Sequence, residues 1–266
     1  LSHGIAHCSV NIVTPKEIGP MQYSARDGFD IYSQTGVLCA CFDGDAMVQH
    51  AAMLDDPGER ALAETMGQAI RGARQTPIAV VEQGRLVLRV GGIIQSVGVD
   101  ERYQADIWDA LLPQNQPTNA LILGLGGGTI AHLMTQRFGP LPIIGVEYDP
   151  AVVWLARQQF GLDAQAHVRI VVADAFDYVR RCRETYDAIC VDLYTAGKMA
   201  HGVLGVRFLR DVARLLSPEG EATFNLWRSP YLDDQLRRIG RELLVREVVE
   251  VEENLVVRCG RLPVAS

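Results

Sequence analysis

From Asn119 onward the chain repeats one pattern five times, a short apolar run followed by a longer stretch with room for a helix, and this repeat constrains the fold more than any other feature. The runs are Ala120 to Leu123, Ile143 to Glu147, Val168 to Val172, Ala188 to Asp192 and Ala222 to Asn225. They are apolar without strict alternation, so both faces of each strand need cover. Helices in the gaps supply it, which is the arrangement of a parallel sheet. The pattern then breaks. Leu243 to Val251 and Leu255 to Cys259 are joined only by Glu252-Glu253-Asn254, too short for a crossover, and read as a tight antiparallel hairpin. Five parallel strands closed by a hairpin make a sheet of seven, unlike a six-strand parallel dinucleotide fold.

Upstream the sequence is less regular. Gly36 to Phe42 is apolar enough for a strand before the Asp43-Gly44 turn signal. Arg60 to Arg74 sets Leu62, Met66 and Ile70 at helical spacing, an amphipathic helix that Pro77 closes. Ile78 to Val81, Leu86 to Val90 and Ile93 to Ser96 are then separated by Gln83-Gly84 and Gly91-Gly92, which predicts a small antiparallel meander outside the main sheet, a lid or dimer surface beside the cleft. The expected organisation is an N-terminal segment of open fold over 1–76, a β meander over 77–100 and the main α/β domain over 101–266.

Composition narrows the function classes. With 48% apolar and 21% charged residues the chain has the balance of a globular domain, which excludes disorder and disulfide miniproteins. No apolar run approaches the roughly 20 residues that span a bilayer. A net charge of −7 offers no basic footprint for a phosphate backbone, so neither nucleic acid nor membrane is an expected partner. The six cysteines have no framework spacing and no signal-peptide pattern opens the chain, which begins at Leu1 as a fragment or processed protein would; a reducing cytoplasm is expected. His3, His7, Cys8, Cys39 and Cys41 match no zinc module, and no metal is expected.

The residues that carry chemistry stand at successive strand ends. Gly124-Leu125-Gly126-Gly127-Gly128-Thr129 follows the first strand and opens a helix, where glycines allow backbone to approach a ligand; alone, the motif is also consistent with a tight turn. Glu147 ends the second strand, where a carboxylate can accept bonds from both hydroxyls of a ribose, while Asp149-Pro150 reads as a helix N-cap and first helical residue. Asp174, followed by Ala175, ends the third strand and can accept an adenine amino group or merely cap the next helix. Asp192 ends the fourth, before a glycine-containing loop to Leu204. An acid there can orient or deprotonate an amine nucleophile. His201 and Lys198 in that loop, and His132 and His167 elsewhere, read as ordinary surface or structural residues.

Residues Ala120 to Gly128, Gly145 to Pro150, Ala173-Asp174-Ala175 and Tyr186 to Asp192 resemble the spermidine synthase (polyamine aminopropyltransferase) family. The likeness extends to Leu86 to Ser96, Asp100 to Tyr103 and Ser229-Pro230-Tyr231. It implies a Rossmann-like seven-stranded methyltransferase-type sheet with a small N-terminal antiparallel β domain, acting as a homodimer. It also implies a decarboxylated S-adenosylmethionine cosubstrate bound by Gly124, Gly126, Gly128, Glu147, Asp174 and Ala175. Gln95, Tyr103 and Asp192 fall on the acceptor side, with Asp192 catalytic. The acceptor side departs from the family: Gly127 and Thr195 stand where it carries acids, and Arg228 where an acid commonly precedes Ser-Pro. Three readings therefore stay open. One is aminopropyl transfer to a small amine, another is methyl transfer from S-adenosylmethionine itself, and the third is a non-catalytic nucleoside-binding relative. An NAD dehydrogenase is a fourth, opposed by Asp174 and the closing hairpin.

Overall fold

The computed structural model describes residues 38–40, 77–82, 85–90, 93–101, 103–195 and 197–263. The proposed helix over Arg60 to Arg74, the Gln83-Gly84 and Gly91-Gly92 turns, and the histidines and cysteines of the first eight residues lie outside the described residues. Strands β1 (Leu38–Ala40), β2 (Pro77–Glu82), β3 (Arg85–Val90) and β4 (Ile93–Val97) form an antiparallel sheet in that order. The meander read from the glycine punctuation is therefore a separate sheet, with β1 added at its edge.

The main domain opens with a single helical turn, α1 (Ile107–Ala110). There follow β5 (Ala120–Leu123), α2 (Thr129–Phe138), β6 (Ile143–Glu147), α3 (Pro150–Gln158), β7 (Val168–Val172), α4 (Ala175–Arg181) and β8 (Tyr186–Val191). After β8 comes a short hairpin, β9 (Tyr194–Thr195) and β10 (Lys198–Met199), in a stretch where the sequence suggested only a loop. Next are α5 (Val206–Leu215), β11 (Leu216–Trp227), α6 (Leu232–Ile239), β12 (Leu243–Val251) and β13 (Asn254–Arg261). The seven strands lie in the order β12-β13-β11-β8-β5-β6-β7, parallel except for β13, which is antiparallel to both neighbours. This is the Rossmann-like methyltransferase-type sheet expected from the repeat and the closing hairpin.

The apolar runs do what their lack of alternation requires. In β5, Leu121 and Leu123 pack with Ile189, Val191, Phe224 and the α5 residues Phe208, Leu209 and Val212 on one face. Ala120 and Ile122 pack with Ala188, Cys190 and the helix residues Trp108, Ile130 and Met134 on the other. Each buried Leu, Ile or Phe contributes about 1.5–3 kcal/mol. β5 and β8 are thus at the centre of the sheet, and their carboxyl ends are held in fixed register, with Leu123 opposite Val191. Open α/β sheets bind ligands at this edge.

Candidate functional site

The glycine turn is built for contact with the chain itself. Gly124 has φ +88°, and a Cβ there would lie 2.1 Å from the backbone oxygen of Asp192, so only glycine lets the ends of β5 and β8 come together. A Cβ on Gly126 would lie 2.4 Å from Ser96 Oγ, and one on Gly127 would lie 3.0 Å from both Phe160 Cδ1 and Ser96 Cβ. The expected close approach to a ligand is, at these positions, an approach of β4. Ser96 Oγ accepts the Gly127 N–H at 2.7 Å, while Thr129 Oγ1 accepts from Val97 N at 3.0 Å and donates to Val97 O at 2.7 Å.

Every N–H of the turn has a partner. Gly124 N and Leu125 N donate to Val146 O, Gly126 N to Glu147 Oε2 at 2.9 Å, Gly127 N to Ser96 and Gly128 N to Leu125 O. A pyrophosphate is held by free N–H groups of such a turn. None remains over Gly124 to Gly128, so the turn itself offers a pyrophosphate no donor.

The carboxylates do fit a nucleoside. Glu147 Oε1 accepts from Tyr148 N at 2.9 Å and Asp149 N at 3.0 Å, whereas among the described residues Oε2 accepts only from Gly126 N. A carboxylate has about four acceptor positions, which leaves room on Oε2 for one ribose hydroxyl. Burial pushes the Glu147 carboxyl above the usual range, against the pull of these bonds. Asp174 is the N-cap of α4, with Oδ1 taking both Phe176 N at 2.7 Å and Asp177 N at 3.1 Å; Oδ2 receives neither. It is exposed, and Ala175 behind it is buried. Asp149 caps α3 through Ala151 N at 2.8 Å, the structural role read from Asp-Pro.

Asp192 is the centre of a second group. Its Oδ1 accepts from Asn225 Nδ2 at 2.8 Å and its Oδ2 from Trp108 Nε1 at 3.2 Å. Both donors are neutral. Burial pushes the Asp192 carboxyl up to about 6, opposed by these two bonds. Asn225 is itself held, since its Oδ1 accepts from Asn254 Nδ2 at 2.8 Å and its backbone oxygen from Tyr194 Oη at 3.3 Å. The Tyr194 ring meets Trp227 edge-on with centroids 6.5 Å apart. The sequence reading found Asp192 but missed Trp108 and Asn225. Asn225 was legible as a polar residue ending an apolar strand, while nothing around Trp108 sets it apart from a core tryptophan.

The acceptor-side expectations divide. Gln95 is half-buried on β4, between Ile93, whose side chain meets Gly197 of the β9–β10 turn, and Ser96 on the glycine turn. Tyr103 donates its hydroxyl to Asp109 Oδ2 and packs with the α1 side of the core, so that hydroxyl is spent on seating α1. Arg228 does not point inward: it is exposed and paired with Glu250 at 2.6 Å. The side chain of Thr195 lies outside what is described. His201 and Lys198 are exposed, and His132 is tied to Phe160 O at 2.7 Å, a structural role. Among the described residues no group of three or more His, Cys, Asp or Glu is placed to hold a metal, and no helix is long and apolar enough to cross a membrane.

Residues 120–220 match the family model described as a methyltransferase domain. The polyamine aminopropyltransferase of Moorella thermoacetica is 33% identical over 178 residues, 62% of each chain. The human eEF1A lysine and N-terminal methyltransferase is 31% identical over 164 residues, 55% of this chain and 23% of that protein. The chain spans about half the length of the first curated relatives it matches, polyamine aminopropyltransferases. A probable spermidine synthase from Corynebacterium glutamicum superposes with a TM-score of 0.60 at 17% identity, covering 70% of this chain and 77% of that one, a likeness of fold. The resemblance read from the strand-end motifs therefore holds, and the proteins resembled are transferases of aminopropyl and methyl groups.

Proposed function

We propose that the protein is a transferase that binds S-adenosylmethionine or its decarboxylated form and passes an alkyl group to the nitrogen of an amine acceptor. The observation that carries this is Asp192, a half-buried carboxylate at the central strand end, in backbone contact with the glycine turn and held by two neutral donors. When bound, the cosubstrate supplies an electrophilic carbon beside a positively charged sulfur. Glu147 Oε2 and Asp174 Oδ2 are the acceptors available for its hydroxyls and amino group. With a carboxyl near 6, Asp192 is mostly ionised at neutral pH and accepts a proton more readily than an ordinary aspartate as nitrogen becomes the nucleophile. Trp108 and Asn225 each hold one of its oxygens and so fix the orientation of the carboxylate.

The relatives favour aminopropyl transfer to a small amine. Methyl transfer is the second reading, and one position favours it. The family's acid at the glycine turn is here Gly127, walled by Ser96 and Phe160, so this turn places no negative charge against a cosubstrate that keeps its own carboxylate. Calorimetry with S-adenosylmethionine, decarboxylated S-adenosylmethionine, methylthioadenosine and NAD tests the site. The nucleoside left after turnover tests the reaction, since aminopropyl transfer leaves methylthioadenosine and methyl transfer leaves S-adenosylhomocysteine. Failure of every sulfonium nucleoside to bind, or tight NAD binding, would refute the proposal.

A further inference from the structure

We infer that Arg258, on β13 and outside the candidate site, is a positioning residue that aims the Trp108 indole N–H at Asp192 by anchoring the carboxyl end of α1. The inference rests on the transferase reading for its purpose, but its geometry stands alone. A helix of one turn has no stability of its own, so α1 stays where its ends are tied. At the amino end Asp106 caps Ile107 N at 2.6 Å, and Asp109 Oδ2 accepts from Asp106 N and from Tyr103. At the other end three successive carbonyls are taken by side chains from the sheet. Arg258 donates from Nη2 to Ala110 O at 2.6 Å and from Nη1 to Leu112 O at 2.8 Å, and Thr223 Oγ1 donates to Leu111 O at 2.7 Å. Trp108 lies between these ties.

Arg258 is 7% exposed, and the same Nη1 pairs with Glu221 Oε1 at 2.7 Å, itself buried. A guanidinium forks to two carbonyls and a carboxylate at once, as an ammonium cannot. A buried pair adds little net stability against apolar residues of the same size, so its value here is the direction it imposes. Loss of the fork frees the carboxyl end of α1 and lets the indole shift away from Oδ2.

The chain has three tryptophans, so Trp108 is one of three indole N–H signals in a 15N-labelled protein, identified by its loss in Trp108→Phe. In the wild type that signal follows the ionisation of Asp192. Tyr194 and Cys190, which also face this carboxylate, ionise far above that range, and Glu221 and Arg258 lie on the α1 side. Arg258→Lys keeps the charge beside Glu221 and removes the fork. The expected result is a Trp108 midpoint raised by about half a unit or more, because an ionised carboxylate that loses a donor holds its proton more tightly, with Trp154 and Trp227 signals unmoved. Should this variant fail to fold, Arg258→Met with Glu221→Leu replaces the buried pair by apolar volume, leaving to solvent the half-exposed Glu247 that Arg258 Nε also meets at 3.2 Å, and the same shift is expected. A folded variant with the wild-type Trp108 titration overturns the inference. Absence of nucleoside binding in the wild type would instead fall on the transferase reading and leave the indole result standing.

Discussion

Asp192→Asn removes the charge at the end of β8 with little change in volume, and its effect on stability is the difference of two opposing parts. Burial holds the carboxyl at about 6 against 3.8 for an ordinary aspartate. The folded chain therefore binds this proton more tightly than the unfolded one, so the contribution is complete below about 3.8 and lost as pH rises through about 6. A gap of about two units, at 1.36 kcal/mol each, makes the ionised group cost about 3 kcal/mol at pH 8 and about 0.5 at pH 4. Asparagine avoids that cost but offers one acceptor where aspartate offers two. Trp108 Nε1 and Asn225 Nδ2 are both donors, and Asn225 cannot turn its oxygen inward without breaking its bond from Asn254. One donor left unmet costs about 1–3 kcal/mol. The variant is therefore expected to equal or exceed the wild type by up to about 2 kcal/mol at pH 8, and to fall below it at pH 4. Urea denaturation at both values measures the swing, about 2.5 kcal/mol, from which the hydrogen-bond cost cancels. A difference between the two proteins that stays constant to within about 0.5 kcal/mol across that range would refute the buried, ionised carboxylate on which the proposed reaction depends.

Three other outcomes are expected. Glu147→Gln turns an amide donor toward Gly126 N or toward the Tyr148 and Asp149 N–H pair, which should cost about 1–3 kcal/mol of stability and weaken methylthioadenosine binding about tenfold or more; native affinity by calorimetry would exclude Glu147 as the ribose acceptor. Gly127→Asp, meant to restore the family's acid, should instead destabilise by about 1–3 kcal/mol because its Cβ meets Phe160 and Ser96, and an unchanged thermal midpoint would show that those side chains give way. Aminopropyl transfer to putrescine should be slow, since Arg228 pairs with Glu250 at the surface and the turn carries Gly127 in place of an acid, leaving Asp192 to match two positive charges. Brisk spermidine formation abolished by Asp192→Asn would show that further carboxylates reach the site.

Much of the fold was legible because its main signal is local and repeated. The runs at Ala120, Ile143 and Ala188 need cover on both faces wherever they sit, and Glu252-Glu253 allows only a hairpin between β12 and β13. β11 was read as starting at Ala222 but begins at Leu216, because Ser217, Pro218 and Glu219, the last two exposed, interrupt the apolar run between buried Leu216 and Ala222. The site was legible only in part, for a different reason. Strand-end acids can be found by position along the chain, and Glu147 Oε1 and Asp174 Oδ1 are held by neighbours, but the ties around Asp192 come from far away: Trp108 is 84 residues from Asp192 and Arg258 is 146 from Leu112. No local pattern encodes such pairs. The glycines misled in one respect, since a sequence records that a Cβ is forbidden and not which atoms forbid it.

What forbids it here links the small sheet to the ligand site. Gly126 and Gly127 are adjacent, and their N–H groups run to Glu147 and to Ser96 respectively. The carboxylate proposed to take a ribose hydroxyl and the strand that bears Gln95 are thus joined through one peptide unit. A ribose that takes the open position on Glu147 Oε2 leaves this link intact, whereas one that demands both oxygens competes with backbone donors already bound there. A carboxylate shared among neutral backbone donors exchanges one partner for another at small net cost, because each such bond is worth only about 0.5–1.5 kcal/mol net. On the proposed function, only a ribose that displaces Gly126 N from Glu147 Oε2 would loosen the peptide whose next N–H ties Gly127 to Ser96 of β4. On that reading the nucleoside side and the strand bearing Gln95 share the backbone of one turn.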